Sequence, residues 1–152
     1  MYMAIGREKI KSGKAAGQAI TEFALTLPIM LIVVIGLFDI GRAFFTLVVV
    51  TNASREGARY LSLYPEDKGN IDSYGNPFAG TKEVAARESI GSFMTISSSD
   101  VTVPLCLDSN SNNKCDNATP VRVRVTKAYR PIFAGIFPST LDITRETEMM
   151  VP

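Results

Sequence analysis

The sequence predicts an α+β fold led by one long N-terminal helix, and three observations carry that prediction. Phe23 to Phe38 is sixteen residues without a charge. From Ala43 to Leu63 the pattern stays helical but becomes amphipathic. Much later, Val121, Val123 and Val125 alternate with Arg122, Arg124 and Thr126, the period of a half-buried strand. The averages over all 152 residues hide this: 16 basic against 15 acidic side chains and a mean hydropathy of +0.14 describe an ordinary chain. The near-cancelling charge argues against binding nucleic acid by bulk positive potential. With no His, triads and zinc sites built on His are excluded, and two Cys are too few for a four-thiolate zinc site.

Residues 1–17 form a basic segment in which Arg7, Lys9, Lys11 and Lys14 face only Glu8, a net of +3. The charge-free run follows, bounded by Glu22 and Asp39. Sixteen residues fall slightly short of the roughly 20 that a span needs. The flanks extend the run, giving an expected span at about 23–42 inside a helix over 18–63. A buried core helix fits the length, but a run apolar on all faces has little interior to hide in here. A secretory signal peptide fits the basic flank, but Asp39-Ile40-Gly41-Arg42 is a poor cleavage site. A retained span with the N-terminus cytoplasmic and the C-terminus outside accounts for both features. Pro28 and Gly36 are tolerated better in membrane helices, and Pro28 is expected to kink this one. At 1.5 Å per residue, 18–63 would measure about 69 Å, roughly twice a bilayer core. Its second half therefore belongs outside the membrane or against a folded domain.

The junction reads Gly17-Gln18-Ala19-Ile20-Thr21-Glu22-Phe23. A carboxylate at the edge of an apolar span is costly unless interfacial or paired. One reading places Glu22 at headgroup level, favoured by the helix N-terminus. The other is a prepilin-type processing site, cut after Gly17 to leave Gln18 as the new N-terminus. Glycine suits a protease subsite that demands an extended, unbranched backbone. Glu22, fifth in the processed chain, would meet the new ammonium of a neighbouring subunit and neutralise both charges in an apolar filament core. Processing would remove the basic segment and leave 12 basic against 14 acidic residues.

Over about residues 17–60 the chain resembles the TadE-like proteins of bacterial tight-adherence (Tad/Flp) pilus systems. The resemblance is carried by Gly17, Gln18, Ala19, Glu22, Phe23, Ala24, Leu27 and Pro28, then Asp39, Gly41 and Arg42, then Asn52, Ala53, Arg55, Glu56, Gly57, Ala58, Arg59 and Tyr60. It implies a role in assembling or composing the pilus and, as for members described as pseudopilins, processing by the prepilin peptidase. It covers somewhat over a quarter of the chain and leaves residues 64–152, the expected extracytoplasmic domain, without a family reading.

In that domain, Pro65 to Gly80 reads as a loop with turns at Lys68-Gly69-Asn70 and Gly75-Asn76-Pro77. Thr81 to Met94 is expected to be a short helix on a sheet, with Thr81 as N-cap and Ala86, Ile90, Phe93 and Met94 as its apolar edge. Val101 to Leu107 holds Pro104 and suits an edge strand. Pro120 to Tyr129 is the clearest strand, and Leu141 to Val151 a weaker third one, with Asp142, Thr144, Glu146 and Glu148 facing water. Between them lies the apolar segment 130–140, read either as an interface loop or as a loop tucked under the sheet. The sum is a pilin-like arrangement of a long helix, a short helix and about three antiparallel strands.

Cys106 and Cys115 enclose eight residues, and outside the membrane a disulfide is expected rather than two thiols. Asp108, Asn110, Asn112, Lys114 and Asp116 fall at alternate positions, like the start of a calcium loop with a backbone carbonyl at Lys114. Asn113 replaces the usual turn glycine and Thr119 the closing Glu, so a plain solvated turn competes with calcium. The sequons at Asn52 and Asn117 and the Ser111-to-Lys114 match to a catalytic Ser/Lys pattern read as chance. Asp39 and Arg42, three apart, read as a helix-surface pair. No catalytic residue is expected.

The chain therefore reads as a structural or assembly subunit packed through Phe23, Leu27, Pro28, Leu31 and Phe38. Its expected partners are other pilin-like subunits, the prepilin peptidase, the inner-membrane assembly machinery and lipid. The alternative is an unprocessed single-pass protein whose ectodomain binds a partner or ligand.

Overall fold

The computed structural model describes residues 12–72, 75–132 and 140–152, with side chains from Gly17 onward. Residues 1–11 of the basic segment and 133–139 of the apolar segment lie outside them. Element order is helix α1 (Ser12–Leu63), a 3₁₀ turn (Pro65–Gly69), helix α2 (Ala79–Arg87), a second 3₁₀ turn (Ser98–Asp100), then strands β1 (Val101–Leu105), β2 (Pro120–Tyr129) and β3 (Leu141–Met150). The predicted α+β class and its order are what the structure shows. The chain divides into two compact units, one ending at Phe38 and one running Asp39–Pro152.

The described residues of the first unit are all helix. Pro28 lies within α1 without ending it. The Thr21 and Thr26 hydroxyls donate to the Gln18 and Glu22 carbonyls at 2.7 and 3.0 Å. That satisfies the polar groups of an otherwise apolar stretch from within the helix. Ile20, Phe23, Leu25, Leu27, Ile29, Met30, Leu31 and Phe38 are all exposed. From Gly17 the helix is long and apolar enough to cross a membrane.

The second unit is a three-stranded antiparallel sheet, ordered β1-β2-β3, with the C-terminal half of α1 on one face. Val121, Val123 and Val125 of β2 and Val101 of β1 are fully buried with Val50, Ala53, Ala58 and Leu61 of α1. With buried Ser54 and Gly57 between them, the α1 members recur at three- and four-residue intervals, so the amphipathic half of the helix offers one stripe to the sheet. Gly57 lies in that stripe. A Cβ there would sit 3.2 Å from Val123 Cγ1 and 3.3 Å from Ala85 Cβ, so its absence lets sheet, α1 and α2 meet closely. The sheet's other face is a ladder of charges. Arg122 donates to Glu148 at 2.6 Å, Arg124 to Glu146 at 2.7 Å, and Thr126 meets Thr144 at 3.0 Å.

β1 is shorter than expected and loses register between Thr102 and Leu105. Pro104, which has no N–H to give the ladder, lies in that interval. β2 and β3 pair without interruption from Pro120↔Met150 to Tyr129↔Leu141.

α2 departs from the prediction at both ends. It starts at Ala79 and stops at Arg87, not Met94. The N-cap is Phe78, held at φ 63°, and not Thr81. The capping carboxylate comes from another element: buried Asp67 accepts from the Gly80 and Thr81 amides at 3.0 and 2.7 Å and from the Thr81 hydroxyl at 2.6 Å. At the far end, the Ser89 hydroxyl donates to the Ala86 carbonyl and Gly91 takes φ +81°, which turns the chain out of the helix. Met94 packs on the core, whereas Ile90 and Phe93, expected on the helix's apolar edge, face outward.

Candidate functional site

In the first unit, Gln18 and Glu22 lie one turn apart, and the Gln18 amide donates to Glu22 Oε1 at 3.3 Å. Both are exposed, as is Gly17. A Cβ at Gly17 would meet no atom within 4 Å, and the same holds at Gly36 and Gly41. A glycine inside a helix costs about 1 kcal/mol relative to alanine. Among the described residues, no contact demands glycine at these three positions. The expected packing residues Phe23, Leu27, Pro28, Leu31 and Phe38 are all exposed among the described residues.

The second unit begins at Asp39, and its carboxylate is a hub. Oδ1 accepts from the Tyr129 hydroxyl at 3.0 Å, and Oδ2 accepts from the Ile132 amide at 2.8 Å. The Tyr129 hydroxyl also lies 2.9 Å from the Asp39 carbonyl. Arg42 pairs with Asp39 at 3.4 Å, and its guanidinium sits 5.5 Å from the Tyr129 ring centre. Burial, then the hydrogen bond to Asp39, pushes the Tyr129 hydroxyl's pKa up, so it stays a protonated donor. The expected Asp39–Arg42 pair is present. What the sequence could not show is that it clamps the end of β2 to α1, because Tyr129 is ninety residues away. An aspartate and arginine three apart beside an apolar run was the only available signal.

The Asn52–Tyr60 segment places its small residues inward. Ala53, Ser54 and Ala58 are buried, and the Ser54 hydroxyl meets Thr147 of β3 at 2.9 Å. Arg55 and Arg59 are exposed, and Arg59 pairs with Glu56 at 3.3 Å. Tyr60 stacks on Tyr64 with ring centres 4.8 Å apart. In this chain the motif serves as the helix's docking surface for the sheet.

The Cys106 and Cys115 sulfurs are bonded, with Cα atoms 5.2 Å apart. Within the loop, Asp108 accepts from the Asn112 and Asn113 amides at 3.0 and 3.1 Å and from Lys68 Nζ at 2.8 Å. Lys68 beside it holds the Asp108 carboxyl below its usual range. Asp116 accepts instead from the Ser109 amide and hydroxyl at 2.8 and 2.7 Å. Asn113 adopts φ 60°, the left-handed conformation that Asn tolerates. Asn110 and Lys114 are exposed, and the Asn112 side chain accepts from the Lys114 amide at 3.1 Å. Asp108 and Asp116 therefore serve separate turns, and among the described residues no three acidic or cysteine side chains gather as a metal-binding group. The Cys115 amide donates to the Pro65 carbonyl at 2.9 Å, which ties the loop to the end of α1.

No curated protein and no solved structure matches this chain. A family model does match: the one described as TadE-like protein aligns with residues 17–59, from the glycine of the junction to Arg59 of the docking segment. The resemblance read from the residues is thus met independently: the stretch from Gly17 to Arg59 is similar to TadE-like proteins.

Proposed function

We propose that the protein is a structural or assembly subunit of a Tad-type pilus, a pseudopilin processed after Gly17 and packed through its N-terminal helix. The observation that carries this reading is the TadE-like match, which opens at Gly17 and runs through the uncovered apolar helix. An apolar helix bare on all sides is stable in a bilayer or in a bundle of like helices, and a pilus subunit occupies the first and then the second. The processed chain would begin at Gln18, with Glu22 one turn away to pair with a neighbour's new ammonium. Open space at Gly36 and Gly41 suits close helix approach in such a bundle. The glycine at 17, which no contact among the described residues requires, suits recognition by the prepilin peptidase.

The expected partners are therefore other pilin-like subunits, the peptidase, the inner-membrane assembly machinery and lipid, with the folded unit outside the membrane. A deletion strain tests the role. Loss of surface filaments, restored by the intact chain but not by Glu22→Leu, is the expected outcome. Normal filaments in the deletion strain would contradict it.

A further inference from the structure

We propose that the loop after α2, through Ile90 and Phe93, docks with Phe44 and Phe45 of α1 into the headgroup and upper acyl region of the outer leaflet. This rests on the membrane-anchored reading and goes beyond it by assigning a lipid-binding surface to the folded unit itself.

The loop is built to hold these two side chains outward. The Ile90 and Ser92 amides donate to the Arg87 and Ser89 carbonyls at 3.0 and 3.1 Å. The Ser89 hydroxyl accepts from the Ile96 amide at 2.9 Å, and the Ser92 hydroxyl donates to the Met94 carbonyl. With Met94 turned onto the core, this framework leaves Ile90 81% and Phe93 98% exposed. A large apolar side chain on a hydrogen-bonded loop points to a surface meant to be covered.

What covers it follows from where the loop sits on α1. The Phe93 ring packs edge-on against Phe45, with centres 6.1 Å apart. Phe44, Phe45 and Val48 of α1 are themselves exposed. The charge-free run Phe23–Phe38 is about 24 Å long at 1.5 Å per residue, against a hydrocarbon core of about 30 Å. The missing 6 Å or so is four residues of helix, which carries the apolar level past Asp39 towards Ala43 and Phe44. Asp39 is suited to that depth because Tyr129, Ile132 and Arg42 already satisfy its carboxylate. Arg42 and Tyr129 are the cationic and aromatic types that populate the interface. Phe45 follows within one turn, and Phe93 lies against it.

The chain contains no Trp, so single-Trp variants report depth. Full-length Phe93→Trp, Leu107→Trp and Val33→Trp are each reconstituted in phosphatidylethanolamine and phosphatidylglycerol vesicles. Each is compared with the same vesicles carrying acyl chains brominated near the headgroup or near the bilayer centre. Leu107 serves as the distal control, since its loop is tied to the far end of α1. The expected result is that Phe93→Trp loses about half its emission to shallow bromines, Val33→Trp loses as much to deep ones, and Leu107→Trp is unaffected. Quenching of Val33→Trp without quenching of Phe93→Trp would overturn the proposal and leave the anchoring intact. Quenching of neither would overturn the anchoring as well. Equal shallow quenching at Phe93 and Leu107 would show unspecific adsorption and overturn it too.

Discussion

Asp67 shows how much one side chain can organise. It lies in the 3₁₀ turn after α1, yet it caps α2 by accepting from the Gly80 and Thr81 amides, and it also accepts from the Asn70 side chain. Removing it leaves several donors unpaired in a buried place. Asp67→Ala should therefore cost about 2–3 kcal/mol, measured as a lower urea midpoint of the folded unit. Gly57 makes the opposite test. Alanine there gains about 1 kcal/mol of helix propensity but presses on Val123 and Ala85, so the two effects oppose. The larger Gly57→Val adds crowding without that gain and should cost about 1–3 kcal/mol in the same measurement. At Asp100, burial alone would raise the carboxyl's pKa. Lys127 Nζ at 2.7 Å and the Ser97 amide and hydroxyl outweigh it and leave the group below its usual 3.8. A carboxyl depressed in the fold contributes stability above its unfolded pKa and loses it as pH falls through the folded one. Thermal midpoints should thus fall more steeply below about pH 4 for the parent chain than for Asp100→Asn.

Elements were legible where the hydrophobic period was long and uninterrupted. β2 announced itself through Val121, Val123 and Val125, which are all fully buried. α1 did so through its apolar run and the amphipathic continuation. α2 was misjudged because its limits are set from outside: its cap arrives from Asp67, and its end is fixed by Ser89 and by Gly91 at positive φ. Ile90 and Phe93 keep helical spacing in the sequence although the helix has already stopped. The clamp of Tyr129 and Ile132 on Asp39 was equally unreadable, since no local pattern couples residues ninety apart. The cysteine loop carries its own prediction. Its disulfide closes a short segment that rests on Pro65 and Lys68. Reduction should lower stability by about 2–3 kcal/mol, seen as a drop in urea midpoint that Cys106→Ser/Cys115→Ser reproduces without reductant.

At the scale of the whole molecule, the chain is two unlike units sharing one helix. Among its described residues the first has no core of its own and exposes most of its apolar side chains. The second uses the same helix as one layer of an α+β domain, with small residues of the TadE-like segment turned towards the sheet. This division explains why the sequence yielded the apolar helix and the TadE-like resemblance but not the second unit's surfaces. The helix is written in a local run of residues, whereas those surfaces depend on contacts across the fold. The central proposal is that the chain is processed after Gly17 for assembly through that helix. The intact mass of the mature chain, purified from cells with an active prepilin peptidase, is its test. The expected result is the mass of a protein that begins at Gln18, with a Gly17→Leu variant left at full length. A mature protein that still begins at Met1 would contradict it.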